Sequence, residues 1–201
     1  MRPADSVRLG SIVTQHGDST LAAIAQHNDP AADQALENFV APTQPEKTRE
    51  KALFWLGATR GRHGYEVLKR VVAQDTSDRV REKAMFALSI SKEPEAVTAL
   101  VQAAKNDRSP RVRGQALFWL ANKAGKKETA AITNAIRDDP DTQVKRRAVF
   151  ALQQLPKDEG VPLLIEVAKT NKNPEVRKQA MFWLGESKDP RATQFFEQIL
   201  K

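Results

Sequence analysis

Eight cations and five phenylalanines sit at repeated positions in this chain, and they are the side chains best suited to grip another molecule. The cations are Lys47, Lys51, Arg79, Lys83, Arg111, Arg146, Arg147 and Lys178, set against Glu50, Glu82 and Glu175 at equivalent sites. The rings are Phe54, Phe86, Phe118, Phe150 and Phe182. A guanidinium forks onto a carboxylate or phosphate, and aromatic rings are favoured anchors in interfaces. That is the chemistry of holding rather than of bond making. His16, His27 and His63 have no metal-ligand spacing, and there is no Cys. No nucleophile-elbow, Walker or dinucleotide motif occurs. The residues therefore predict no catalytic group, no metal, no cofactor and no enzymatic activity.

Those side chains ride on one helix copied five times. Thr48–Leu56, Val80–Leu88, Val112–Leu120, Val144–Leu152 and Val176–Leu184 share one pattern, and Ala52, Ala84, Ala116, Ala148 and Ala180 are spaced 32 residues apart. A fixed period of this size marks a repeat solenoid, in which each unit buries its apolar face only by stacking on its neighbours. Each period also holds a first helix with apolar pairs one turn apart, for example Val67/Leu68 with Val71/Val72 and Leu163/Leu164 with Val167/Ala168. The copied helices start at Ser77, Ser109, Asp141 and Asn173, residues that accept from orphan amides, whereas the first copy starts at Pro45-Glu46. Pro94, Pro162 and Pro190 fall near the starts of first helices, where proline is tolerated. Residues 1–30 read as a degenerate N-terminal cap, with Ser6 to Gln15 and Asp18 to Ala25 as its two helices. Residues 31–189 read as five repeats and residues 190–201 as a closing helix, all within one domain over 1–201.

Stepping about 100° per residue from the repeated Ala places Val80, Ala84, Ala87 and Leu88 on the core side, with Arg81 at its edge. Arg79, Glu82 and Phe86 fall opposite, and Lys83 and Met85 lie to the side. The phenylalanine row therefore either grips a partner or folds sideways onto the next copy. The tryptophans alternate with alanine (Trp55, Ala87, Trp119, Ala151, Trp183), which predicts large-beside-small packing between neighbours or, alternatively, a row of stacking platforms. The exposed face carries +5 of the chain's net +7. Arg60-Gly-Arg-His-Gly64 occupies a loop whose glycine-flanked arginines either meet a phosphate or form a solvated turn.

A helix, a turn carrying Asp, and then Val-Arg-x-x-Ala-x-x-Ala/Trp-Leu resembles the HEAT repeat. It is most similar to the short bacterial form also found in phycobilin lyases, and the likeness covers roughly residues 31–200. The resemblance implies an all-α, right-handed α-α superhelix of the HEAT/armadillo type. About six helical pairs and a closing helix are expected, with the second helix of each pair on the concave side. It also implies that the turn Asp pairs with the Arg of Val-Arg in a stacked ladder. Asp75, Asp107 and Asp139 stand six residues before Arg81, Arg113 and Lys145, but Asn171 precedes Arg177 and Thr43 precedes Arg49. The ladder is thus expected to weaken at both ends.

The resemblance implies protein binding or scaffolding. The expected partner is an acidic or extended protein segment, held in a basic groove by Arg79, Lys83, Arg111, Arg146, Arg147 and Lys178 with Phe86, Phe118 and Phe150. Non-specific nucleic-acid binding through the same groove is the alternative. A HEAT-like DNA glycosylase or a bilin-lyase subunit is remote: Trp119 and Trp183 suit the first, but no acid sits beside them, and nothing speaks for a pigment. Phe195, Phe196, Ile199 and Leu200 on the closing helix allow a monomer or weak end-to-end association. No apolar run is long enough to cross a bilayer. The compartment is undetermined, with cytoplasm as the default and periplasm if the chain is cut from an exported protein.

Overall fold

The computed structural model describes residues 19–200, and these are helical with no strand. The expected helix at Ser6 to Gln15 lies outside the described residues. The chain divides into two compact units at Ala99/Leu100. In the first, α1 (residues 19–26), α2 (Pro30–Val40), α3 (Glu46–Thr59), α4 (Gly61–Gln74) and α5 (Asp78–Ile90) follow in order. Helix α6 (Glu95–Asn106) begins at the end of the first unit and runs into the second. The second continues with α7 (Pro110–Ala124), a 3-10 turn (Gly125–Glu128), α8 (Thr129–Asp138), α9 (Thr142–Gln153), α10 (Lys157–Thr170), α11 (Pro174–Glu186) and α12 (Pro190–Ile199).

Within each unit the copied helices pack side by side, α3 on α5 and α7 on α9 on α11, while the first helices form a second layer against them. The core follows the repeat. Ala52, Ala84, Ala116, Ala148 and Ala180 are fully buried, as are Leu56, Leu88, Leu120, Leu152 and Leu184. A methyl at the crossing lets axes approach closely, and bulkier branched residues fill the space to either side. The copied helices α3 and α5 come close at Gly57, where a Cβ would stand 2.3 Å from the Ala87 carbonyl oxygen. Met85, placed to the side by helical stepping, is also fully buried.

The caps mostly follow the sequence. Ser77, Asp141 and Asn173 accept from amides at the starts of α5, α9 and α11. Ser109 occupies the cap position without such a bond, and Pro110 after it removes one orphan donor. Pro162 departs from its expected place: α10 starts at Lys157, so the proline lies inside the helix.

The ladder has bonds within each repeat and carboxylate rungs across repeats. Arg81, Arg113 and Arg177 donate to the backbone carbonyls of Asp75, Asp107 and Asn171, at 2.8, 2.9 and 2.8 Å. The carboxylates of Asp75 and Asp139 are taken by the arginine one repeat earlier. Arg49 pairs with Asp75, and Arg113 holds Asp139 through Nε and Nη2 at 2.8 and 3.0 Å. The other face of the turn carboxylate accepts amides, from Ser77 at Asp75 and from Asp141 at Asp139, both at 2.9 Å. Buried charge is tolerated when paired and hydrogen bonded in this way, and the bond to Asp139 holds the Arg113 guanidinium above its ordinary pKa. The N-terminal end is not weakened as expected, since Arg49 needs Asp75 and not an acid at Thr43. At the C-terminal end Lys145 turns to the Arg137 carbonyl at 2.9 Å, and Asn171 offers a neutral amide.

Candidate interaction face

The exposed sides of the copied helices carry all nine residues expected to bind a partner, but the two units treat them differently. In the first, Glu50 on α3 is largely buried and reaches across to α5. Its Oε1 accepts a short bond from Arg79 Nε, and Lys83 Nζ lies 3.8 Å from Oε2. The same carboxylate raises the pKa of Arg79 above its ordinary value. Arg79 and Lys83 are therefore not open cations. They share one acid that the sequence placed on the same face but did not connect to them. The connection was readable: copies stacked 32 residues apart put residues 29 and 33 positions on beside Glu50.

The second unit repeats the geometry without the acid. Gly114 on α7 replaces Glu50, and Arg147 on α9 replaces Lys83. The Arg147 stem runs over the glycine so closely that a Cβ there would meet Arg147 Cδ at 2.3 Å. Arg146 Nε donates to Gln179 Oε1 on α11 at 3.1 Å. Arg147 and Lys178 are exposed, as is Arg111 on α7. Among the described residues no carboxylate pairs with Arg146, Arg147 or Lys178. Glu175, one turn before Lys178, is the acid at the N-terminal end of α11.

The phenylalanines both pack and show. Phe54 stacks on Phe86 at 6.2 Å, and Phe118 on Phe150 at 5.7 Å with planes 2° apart. Phe86, Phe118 and Phe150 stay half-exposed. The tryptophans are half-buried, each set edge-on to the preceding Phe at 4.8 to 5.1 Å. They buttress the row and do not form exposed platforms.

Other candidates are spoken for. Arg60 donates to the carbonyls of Ile24 and His27 at 3.0 and 2.7 Å and pairs with Asp33 at 3.1 Å, so it ties α1 and α2 to α4. The expected loop shrinks to Arg60 alone, with Gly61 at φ 42° opening α4. Arg62 pairs with Glu66 and Glu95, both at 2.6 Å. A 720 Å³ cavity lies between α6 and α8, but the Arg113 and Asp139 side chains that line it are bonded to each other. A 330 Å³ cavity lies between α2 and α4, and a 260 Å³ one is lined by Trp183, Lys157 and Lys188. Among the described residues no three metal-ligating side chains converge, and no helix is long and apolar enough to cross a membrane.

No curated protein matches the chain in sequence. Among solved structures, the chain is similar to human deoxyhypusine hydroxylase in complex with glycerol. Identity is 17%, the match covers 97% of this chain and 89% of that one, and the TM-score is 0.49. It is also similar to the complex of CpcE and CpcF of phycocyanin lyase from Nostoc sp. PCC7120, at 20% identity over 88% and 74% of the chains, with a TM-score of 0.44. These likenesses are of fold. They nevertheless correct the expectation that the chain is not an enzyme: a structure it resembles is a hydroxylase, so this repeat architecture is no argument against chemistry. The HEAT-repeat model matches residues 33–121 and 129–201, most of the chain, and with the stacked helical pairs and their cross-repeat ladder it shows that the chain belongs to the HEAT-repeat family.

Proposed function

We propose that the second unit binds an acidic, extended protein segment across α7, α9 and α11. One observation supports this above the rest: Glu50 neutralises Arg79 and Lys83 in the first unit, while Gly114 leaves Arg147 without an acid in the second. Guanidinium groups fork onto carboxylates, and the half-exposed Phe118 and Phe150 beside them lower local solvation. Each exposed pair is worth only about 0.2–1 kcal/mol, so several must act together.

The test is binding of poly-glutamate and of single-stranded oligothymidylate at matched ionic strength, measured by anisotropy. The triple variant R111E/R146E/R147E is expected to lose at least about tenfold in poly-glutamate affinity, equivalent to about 1.4 kcal/mol. R79E/K83E is expected to change it little. Undiminished binding by the folded triple variant contradicts the reading. Tighter binding of oligothymidylate than of poly-glutamate would assign the face to nucleic acid instead.

A further inference from the structure

Among the described residues the last phenylalanine of the row stacks on no other phenylalanine. Phe54 meets Phe86 and Phe118 meets Phe150 ring on ring. Phe150 also meets Trp183, with centroids 5.1 Å apart and planes at 37°. The indole fits there because the equivalent position on α9 is Ala151, which is fully buried and leaves room. Phe182 is left 54% exposed, the most open ring of the row. It is not loose: Trp183 stands edge-on to it at 4.9 Å and 76°. A rigid aromatic side chain exposed in this way loses little conformational freedom when something covers it.

Its surroundings say what would cover it. Lys178 lies one turn earlier on the same helix face, about 5–6 Å away at Cβ. Arg146 is drawn to α11 through Gln179, next to Lys178, and Arg147 is its neighbour on α9. An exposed ring with cations on one flank is the layout of an apolar anchor inside a charged rim. Glu175 occupies the other end of α11 and repels acid there, so the acidic flank of a partner runs from Phe182 toward α9.

Building on the proposed function, we infer that the acidic segment bound by this face carries one large aromatic side chain, which packs on Phe182. Its neighbouring carboxylates meet Lys178, Arg146 and Arg147. Phe182 sets which acidic segments bind, and the cations set that they bind at all.

The experiment compares two glutamate-rich peptides that differ only in a central Phe or Ala, titrated into wild type, F182A and F182L. Wild type is expected to bind the Phe peptide at least about fivefold tighter. That preference should persist at high salt, where the charged share is screened. Trp183 fluorescence is expected to shift with the Phe peptide and not with the Ala peptide. F182A should bind both alike, and F182L, which retains apolar bulk, should recover part of the preference. Circular dichroism confirms that both variants are folded. Equal binding of the two peptides by wild type, or an unchanged preference in F182A, overturns the inference and leaves the acidic-segment reading intact. Failure of wild type to bind either peptide overturns that reading and this inference with it.

Discussion

The two units use the same helix, the same buried Ala-Leu core and the same buried arginine–aspartate rung, yet they pair the cations of their outer faces differently. Arg49–Asp75 in the first and Arg113–Asp139 in the second are both buried and both 26 residues apart. On the outer faces of the copied helices the likeness ends. Glu50 holds Arg79 and Lys83 in the first unit, whereas in the second its counterpart is Gly114, and among the described residues no carboxylate pairs with Arg146, Arg147 or Lys178. Core positions are constrained by stacking and stay constant, ladder positions change at Lys145 and Asn171, and face positions touch solvent and vary, so that Glu50, which pairs Arg79 and Lys83, becomes Gly114 beneath Arg147.

The largest effect tests what the units share. Removing one rung by D139A strands Arg113 in a buried site, which is expected to cost about 3–5 kcal/mol. D75A should cost a similar amount through Arg49. Denaturant unfolding of both variants checks this, and a much smaller loss for one of them would mean that the units do not rest on a common skeleton.

The next effect swaps the difference. G114E should place a carboxylate under Arg147 as Glu50 lies under Lys83, and reduce poly-glutamate affinity about two- to fivefold, the range of one exposed pair. E50Q should release Arg79 and Lys83 and raise it by a similar factor. If neither moves binding, the pairing seen at Glu50 is not what distinguishes the units.

The smallest effect is confined to α12 in the second unit. Asp189 caps this helix and bonds the Arg191 side chain, which holds its pKa down to about 2. A depressed carboxylate contributes stability that is complete above its unfolded value near pH 4 and is lost as pH falls toward 2. Asn is also a good cap, so D189N removes the charge and keeps the cap. Wild type should melt above D189N at pH 6, and the two should converge by pH 2; a constant gap would mean that charge plays no part.

Much of this was legible in the residues. The 32-residue spacing of Ala84, Ala116 and Ala148 gave away the stacked helices and the core, because close axial approach needs a small residue at a fixed place. The resemblance to the HEAT repeat implied a ladder between the turn Asp and the Arg of Val-Arg, whereas Asp75 and Asp139 give their carboxylates to the arginine of the repeat before. What was hidden is whatever depends on contact between copies. Arg79 and Lys83 read as open cations until Glu50 was seen beneath them. Phe182 read as one of five equal rings, and the structure leaves it the most exposed of them. Pro162 read as a helix start because its distance from the preceding turn was judged from pattern alone.

Whether the second unit rather than the first carries the binding face is read out by an amide NMR titration of the intact chain with poly-glutamate. Graded shifts are expected at Arg111, Arg146, Arg147 and Lys178, with Arg79 and Lys83 unmoved. Shifts centred on Arg79 and Lys83, or none on α9 and α11, would contradict it.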